Sequence, residues 1–228
     1  MNLILSNYFT SKPDPQRGHY WKKDDFSIME TWYNSVMKHN LNAIVFHDGL
    51  SDEFIQKYGN DNVMFVRSNI ITGLSSNDER FISFEQYIKC CEVNDRIIIT
   101  DISDVEFLKN PFEYITGLNL LYFGSNDTWG EKPKVFKRYT NSCFDDSFLD
   151  KPILHAGTFG GYVYSLRAFL KTVVEFLDVP YGDYNINLGV INAVAYLYFK
   201  HRIVHGHPFT TQLKKYDYNN KECYIRHK

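Results

Sequence analysis

Residues 95–104, Asp-Arg-Ile-Ile-Ile-Thr-Asp-Ile-Ser-Asp, constrain the fold more than any other stretch of the chain. A β-branched apolar run bounded by charge reads as a short strand buried on both faces, and such strands belong inside parallel sheets, where crossover helices cover each side. Asp101 and Asp104 then stand at the strand's carboxyl end, the edge where the loops of an open α/β sheet part to form a ligand crevice. Side chains three apart on a continuing strand point to opposite faces, so the two acids converge on one ion only if the chain turns at Asp101. Asn110-Pro111 soon afterwards favours such a break. The competing account is structural: Asp104 caps a turn and Asp101 is solvated, in a chain with 27 acidic residues.

The chain has 228 residues and no linker rich in Pro, Gly or Ser, so one α/β domain over 1–228 is expected. Apolar residues at 44% and aromatics at 17% allow a sizeable core and exclude a disordered chain. A net charge of -2 gives no electrostatic case for nucleic acid as a partner or for an anionic membrane surface. A negatively charged small ligand would need a metal or local basic groups. Cys90, Cys91, Cys143 and Cys223 show no CxxC spacing and read as free thiols in a reducing compartment. No stretch approaches the ~18 apolar residues of a membrane span, and the apolar opening is too short for a signal peptide, so a cytoplasmic location is expected.

Residues 3–9 read as a first strand ending in Asn7-Tyr8-Phe9-Thr10, followed by a polar loop that carries His19, Tyr20 and Trp21. Rings in a loop at a strand end either stack on a ligand or pack on the sheet. From 25 or 26 to 38 the spacing of Ile28, Met29, Trp32, Val36 and Met37 predicts an amphipathic helix. A second strand at 42–46 ends near Asp48, and a third covers 63–66. A helix over 76–91 aligns Phe81, Phe84, Ile88 and Cys91, with Arg80 near its start. A cation there opposes the helix dipole unless it meets an anion.

After the acid-bearing strand, 118–123 reads as another strand. The polar segment 127–151 has Trp129, Phe136, Tyr139, Phe144 and Phe148 to anchor a long excursion over the sheet. The run from His155 through Ala156-Gly157-Thr158-Phe159-Gly160-Gly161 either brings backbone amides close to a ligand or makes a tight turn with a bulge. A helix over 165–177 follows. Asp183 then stands as N-cap of an apolar helix to 199, with Asn187 one turn on. A last strand over 202–207 places His205 and His207 on one side by period two, before a polar, basic tail.

This order of elements and motifs resembles nucleotide-sugar-dependent glycosyltransferases of the GT-A fold, over nearly the whole chain. The most specific part runs from Arg80-Phe81 through 95–107 to Asn110-Pro111-Phe112, similar to the family's arginine helix, acidic metal motif and downstream Pro-Phe. The resemblance implies a single-domain, Rossmann-like fold whose central, mostly parallel mixed sheet is flanked by helices. It implies Asp101 and Asp104 as a DxD-like metal motif, one residue longer than the usual Asp-x-Asp, with His205 completing the site and His207 as the alternate. Arg80 would approach the donor sugar, and Ala156, Gly157, Thr158, Gly160 and Gly161 would lie beside donor and acceptor, with His155 where the family has Asn. Asn187 and Asp183 would face the transferred sugar or the acceptor; Asn7, Tyr8, Phe9, Thr10 and Asp48 would hold base and ribose.

The implied activity is metal-dependent transfer, of a hexosyl group by expectation, from a nucleotide-sugar donor to a glycan or glycoprotein acceptor. Two carboxylates, an imidazole and two diphosphate oxygens make a mostly oxygen-ligated octahedron suited to Mn²⁺ or Mg²⁺, and the imidazole tilts the choice to manganese. If the anomeric centre inverts, a carboxylate must take the acceptor proton, with Asp183 the first candidate and Asp127 the second. A retaining enzyme needs neither as base. The rivals are a metal-dependent nucleotidyltransferase, whose Gly-rich basic loop is missing here with only Lys12 and Arg17 nearby, and a non-catalytic carbohydrate-binding protein.

Overall fold

Apolar runs alternate with amphipathic segments through the first half of the chain, and in a computed structural model they form alternating strands and helices. The structure describes residues 1–16, 18–69, 73–139, 145–177, 185–212 and 222–227. The first half comprises β1 (Asn2–Tyr8), α1 (Glu30–Lys38), β2 (Ala43–His47), α2 (Asp52–Tyr58), β3 (Val63–Arg67), α3 (Ser76–Ile88) and β4 (Arg96–Thr100). Then come β5 (Val105–Phe107), β6 (Leu121–Thr128), α4 (Pro133–Tyr139), β7 (Pro152–Tyr162), α5 (Val163–Leu177), α6 (Asn187–Tyr198), β8 (Ile203–His205) and β9 (Ile225–His227).

Among the described residues the main sheet has seven strands in the order β3-β2-β1-β4-β7-β6-β8. Only β7 runs against its neighbours, β4 and β6; the other pairings are parallel. The expected mostly parallel mixed sheet flanked by helices is therefore present. Period-two alternation divides its core. Leu3, Leu5, Ile97 and Ile99 face Phe81 and Phe84 of α3, Leu166 and Phe169 of α5 and Val190 of α6. Ile4, Tyr8 and Ile98 face the other way, onto Trp32 and Val36 of α1 and Phe54 of α2.

The segment after β6, expected to be irregular, contains α4 and two short 3-10 turns, Trp129–Glu131 and Asp146–Phe148. Its rings do act as anchors: Trp129, Phe136, Tyr139 and Phe148 form a separate apolar cluster with Ile153 and with Ala193 of α6. Phe144 and Cys143 lie outside the described residues, as does Asp183. Cys90, Cys91 and Cys223 are free thiols. Among the described residues no helix is long and apolar enough to cross a membrane.

Three expectations change. The glycine-bearing run is no turn but the middle and end of β7, an eleven-residue strand inside the sheet. The strand expected at 118–123 begins at Leu121 and extends to Thr128, so Asp127 sits on it. The last strand of the main sheet is only Ile203–His205, and the tail read as merely polar supplies β9, antiparallel to β5, with Val105 opposite His227. Three residues, Ile-Arg-His, carry too little periodicity to announce a strand.

Candidate functional site

Two hydrogen bonds fix the last residue of β4. Ser6 Oγ donates to the Thr100 carbonyl at 2.8 Å, and Trp32 Nε1 donates to Thr100 Oγ1 at 2.9 Å. The ladder to β7 continues one residue further, with Asp101 N–H donating to the Gly157 carbonyl at 2.8 Å. The chain then bends through 102–104 into β5, the turn that convergence of the two acids requires.

Alternation directs Asp101 to the face covered by α3, where Arg80 Nη1 pairs with Asp101 Oδ1 and Nη2 donates to the Ala156 carbonyl at 3.4 Å. The Arg80 side chain is 5% exposed and that of Asp101 28%. The anion that a cation near a helix start needs is thus Asp101. Burial pushes the Asp101 carboxyl up, but the Arg80 charge and then His227 outweigh it and hold the carboxyl well below the usual carboxylate range. Gly157 makes room for this arrangement: a Cβ there would lie 1.9 Å from Asp101 Oδ2.

The imidazole beside the acids is His227, delivered because β9 pairs with β5 immediately after Asp104. His227 Nε2 lies 3.7 Å from Asp101 Oδ2 and 3.8 Å from Asp104 Oδ1. One ligand atom from each of the three residues falls within 4.8 Å of the others. Separations of 3.7 and 3.8 Å are too long for hydrogen bonds. They fall between the roughly 3.0 Å and 4.2 Å that separate adjacent and opposite ligands of an octahedral ion with bonds of about 2.1 Å. Two carboxylates, one of them held ionised, and one imidazole are a donor set that fits Mn²⁺ or Mg²⁺.

His205 and His207 do not join this group. His205 Nδ1 lies 3.1 Å from Ser125 Oγ, and burial pushes its imidazole down from the usual range. His207 is exposed and faces Glu222, Nε2 to Oε2 3.4 Å. Period two gives both the same face of a strand but cannot give the strand's place. β8 is the sheet's edge, three positions from β4 with β7 and β6 between, roughly 14 Å at the usual strand spacing.

Behind His227 the site continues into the interior. Its Nδ1 is 3.1 Å from Thr158 Oγ1 and 3.1 Å from His155 Nδ1, with the two rings edge to face. Burial pushes the His155 imidazole well below its usual range. Gly160 and Gly161 lie deeper in β7, opposite Ile98 and Ile97. They are three and four residues past Gly157, roughly 10 Å along the strand, and are not brought to the cluster.

A cleft opens where β1 ends. Asn7 and Phe9 line it with Asp14, Trp21, Ser76 and Asn77. Tyr8 points to the opposite face, where its hydroxyl lies 2.7 Å from the Lys22 carbonyl and 2.9 Å from that of Asp25. Its ring meets Trp21 edge-on at 5.6 Å. Tyr8 therefore pins the aromatic loop from beneath and does not line the cleft. Asp48 organises the start of that loop: Oδ1 accepts from Thr10 N–H at 2.8 Å and Thr10 Oγ1 at 3.1 Å, and Oδ2 accepts from Ser11 N–H at 2.9 Å. Burial raises the Asp48 carboxyl, but these bonds from Ser11 and Thr10 prevail and hold it below the usual range.

Asp127 forms a salt bridge with Lys132 at 3.0 Å. Asn187 is buried, its amide donating to Asn185 Oδ1 at 2.6 Å. The first amides of α6 are capped from α3: Asp78 Oδ1 accepts from Asn187 N–H at 2.8 Å and Oδ2 from Ile186 N–H at 3.3 Å. Sequence reasoning missed His227, Thr158 as its neighbour and Asp78 as a cap. For His227 no local signal could have found it, since Ile225-Arg226-His227 is too short to show a strand period.

No protein-family model matches this sequence, and no curated protein sequence matches it. Solved structures do match it at the level of the fold. The chain is similar to the galactosyltransferase LgtC, solved in complex with donor and acceptor sugar analogs. The TM-score is 0.58 at 14% identity, over 100% of this chain and 86% of that one. An active-site mutant of LgtC is similar at TM-score 0.57 and 13% identity, over the same shares of each chain. The fold is the GT-A glycosyltransferase fold.

Proposed function

We propose that this chain transfers a sugar from a nucleotide-diphosphate donor to a hydroxyl on a glycan or glycoprotein, with a divalent cation held by Asp101, Asp104 and His227. The observation that carries the reading is the convergence of those three side chains at the carboxyl edge of a GT-A sheet, beside a buried arginine. When bound, Mn²⁺ or Mg²⁺ supplies Lewis-acid neutralisation of the departing diphosphate.

The chain's own residues divide the remaining work. Arg80 keeps Asp101 ionised and fixes one of its oxygens, so that Oδ2 is the one directed towards Asp104 and His227. The small cleft that Asn7, Phe9 and Trp21 line lies where the nucleoside is expected, with Trp21 partly exposed beside it and Phe9 buried behind. Asp48 sets that cleft by holding the loop backbone at Thr10 and Ser11. If transfer inverts the anomeric centre, Asp183 is the first candidate for the acceptor proton. Asp127, which pairs with Lys132, is the second. A hexosyl donor is the expected class. Free thiols at Cys90, Cys91 and Cys223 support a reducing compartment such as the cytoplasm.

Incubation with a panel of nucleotide sugars and Mn²⁺ tests the reading by following released nucleoside diphosphate. We expect slow donor hydrolysis that a chelator stops and that Asp104→Asn abolishes without unfolding the protein. Pyrophosphate release from a nucleoside triphosphate would instead establish a nucleotidyltransferase. Glycan binding with no affinity for nucleotide would establish a lectin-like protein.

A further inference from the structure

We infer that His155 is a positioning residue for His227: together with Thr158 it keeps the His227 ring hydrogen on Nδ1, leaving the Nε2 lone pair directed at Asp101 and Asp104. The inference rests on the metal reading above and adds to it a second imidazole, one that touches neither the cation nor the substrate.

Hydrogen-bond counting leads to it. Thr158 Oγ1 lies 2.6 Å from the Gly157 carbonyl, which has no hydrogen to give, so the single hydroxyl hydrogen is committed there. Towards His227 Nδ1, at 3.1 Å, the same oxygen can present only a lone pair. Nδ1 must therefore carry a hydrogen. An imidazole that ligates a cation is neutral and has only one ring hydrogen, so with Nδ1 protonated Nε2 is the bare nitrogen on the side of the acids. His155 Nδ1 is 3.1 Å from the same atom, and two ring nitrogens so close share one hydrogen between them. It belongs to His227, which donates it as a three-centre bond to Thr158 Oγ1 and His155 Nδ1. The hydrogen of His155 then sits on its own Nε2, a buried atom with no hydrogen-bond partner among the described residues.

The opposite arrangement, His155 donating to His227, would set the Thr158 and His227 lone pairs against each other at 3.1 Å. It would also place a hydrogen on Nε2, the nitrogen a cation needs. The backbone accommodates the chosen arrangement on β6. A Cβ at Gly124 would lie 2.4 Å from His155 Nδ1, so only glycine lets the ring lie against that strand.

Three variants test this: His155→Leu removes the acceptor, His155→Asn keeps one near the Nδ1 position, and Gly124→Ala displaces the ring while leaving both histidines in the sequence. The readouts are the ¹⁵N shifts of the His227 ring in metal-free protein, Mn²⁺ affinity by titration calorimetry, and circular dichroism with thermal melting to verify folding. We expect the Nδ1–H tautomer in the unsubstituted protein. In His155→Leu we expect the other tautomer to become populated and Mn²⁺ binding to weaken about 10-fold or more, with His155→Asn restoring both. A folded His155→Leu variant with unchanged ring shifts and Mn²⁺ affinity would overturn the inference. So would an Nε2–H tautomer in the unsubstituted protein. Where His155→Leu fails to fold, the same comparison on Gly124→Ala decides. If the unsubstituted protein binds no Mn²⁺, the metal reading falls, and the ring shifts still decide the role of His155.

Discussion

Asp101 meets three unlike neighbours, and each makes a demand on its position. Arg80 takes one oxygen, His227 faces the other, and Gly157 stands where any other residue would displace the carboxylate. Gly157→Ala should therefore act as a metal-site variant without touching a ligand. With a Cβ placed 1.9 Å from Oδ2 the carboxylate must move, and Mn²⁺ affinity should fall at least about 10-fold, the scale of losses when a ligand's support is disturbed. Titration of the folded variant with Mn²⁺ checks this, and an unchanged affinity would show that Asp101 is not a ligand. At this scale the sequence was informative where chemistry and periodicity coincide. Two acids at a strand end and an arginine near a helix start were recognisable because the geometry linking them is short and regular. His205 and His207 looked equally suitable, and their residue type says nothing about which sheet position they occupy.

Elements bring the site's parts together through contacts distant in sequence. The β5–β9 pair carries His227 across 122 positions to Val105, and Asp78 of α3 caps α6 with two backbone bonds. The Asp78 cap joins the helix that bears Arg80 to the helix that bears Asn187. Burial raises the Asp78 carboxyl, against hydrogen bonds from Ser75, Ile186 and Asn187 that lower it. Asp78→Ala would strand two buried amides at the start of α6 and should cost about 1–2 kcal/mol. Urea denaturation would measure the loss, and hydrogen exchange at the Ile186 and Asn187 amides should quicken; protection equal to that of the unsubstituted protein would mean the cap contributes nothing. The helix at 187–198 was legible from its apolar composition. Its cap was not, because sequence reasoning searches for a capping side chain next door, at Asp183, whereas α6 has an acceptor from another element.

Across the whole molecule, burial is the leading cause that pushes His39, His47, His155 and His205 below the usual imidazole range. Each resists protonation in the folded protein and takes up a proton freely when unfolded, with a pKa of about 6.5. Their contribution to stability is complete above that value and is lost as pH falls below it towards the lowered folded values. The urea midpoint should therefore drop between pH 7 and pH 5.5, and a midpoint that rises over that interval would contradict the burial of these rings. Asp48 and Asp101 act in a lower window. Their folded carboxyls are depressed, so their stabilisation is present above about pH 4 and is lost as pH falls below it. By itself the sequence determined the alternation of strands and helices, the two-sided burial of β4 and the place of Asp101 and Asp104 at its end, since those follow from side-chain periods within a few neighbouring residues. Only the tertiary structure decided which histidine faces the acids, that the glycine run is a strand, and what caps α6. Strand order and register are set by which distant surfaces bury each other, and a period of two is the same wherever in the sheet a strand is laid.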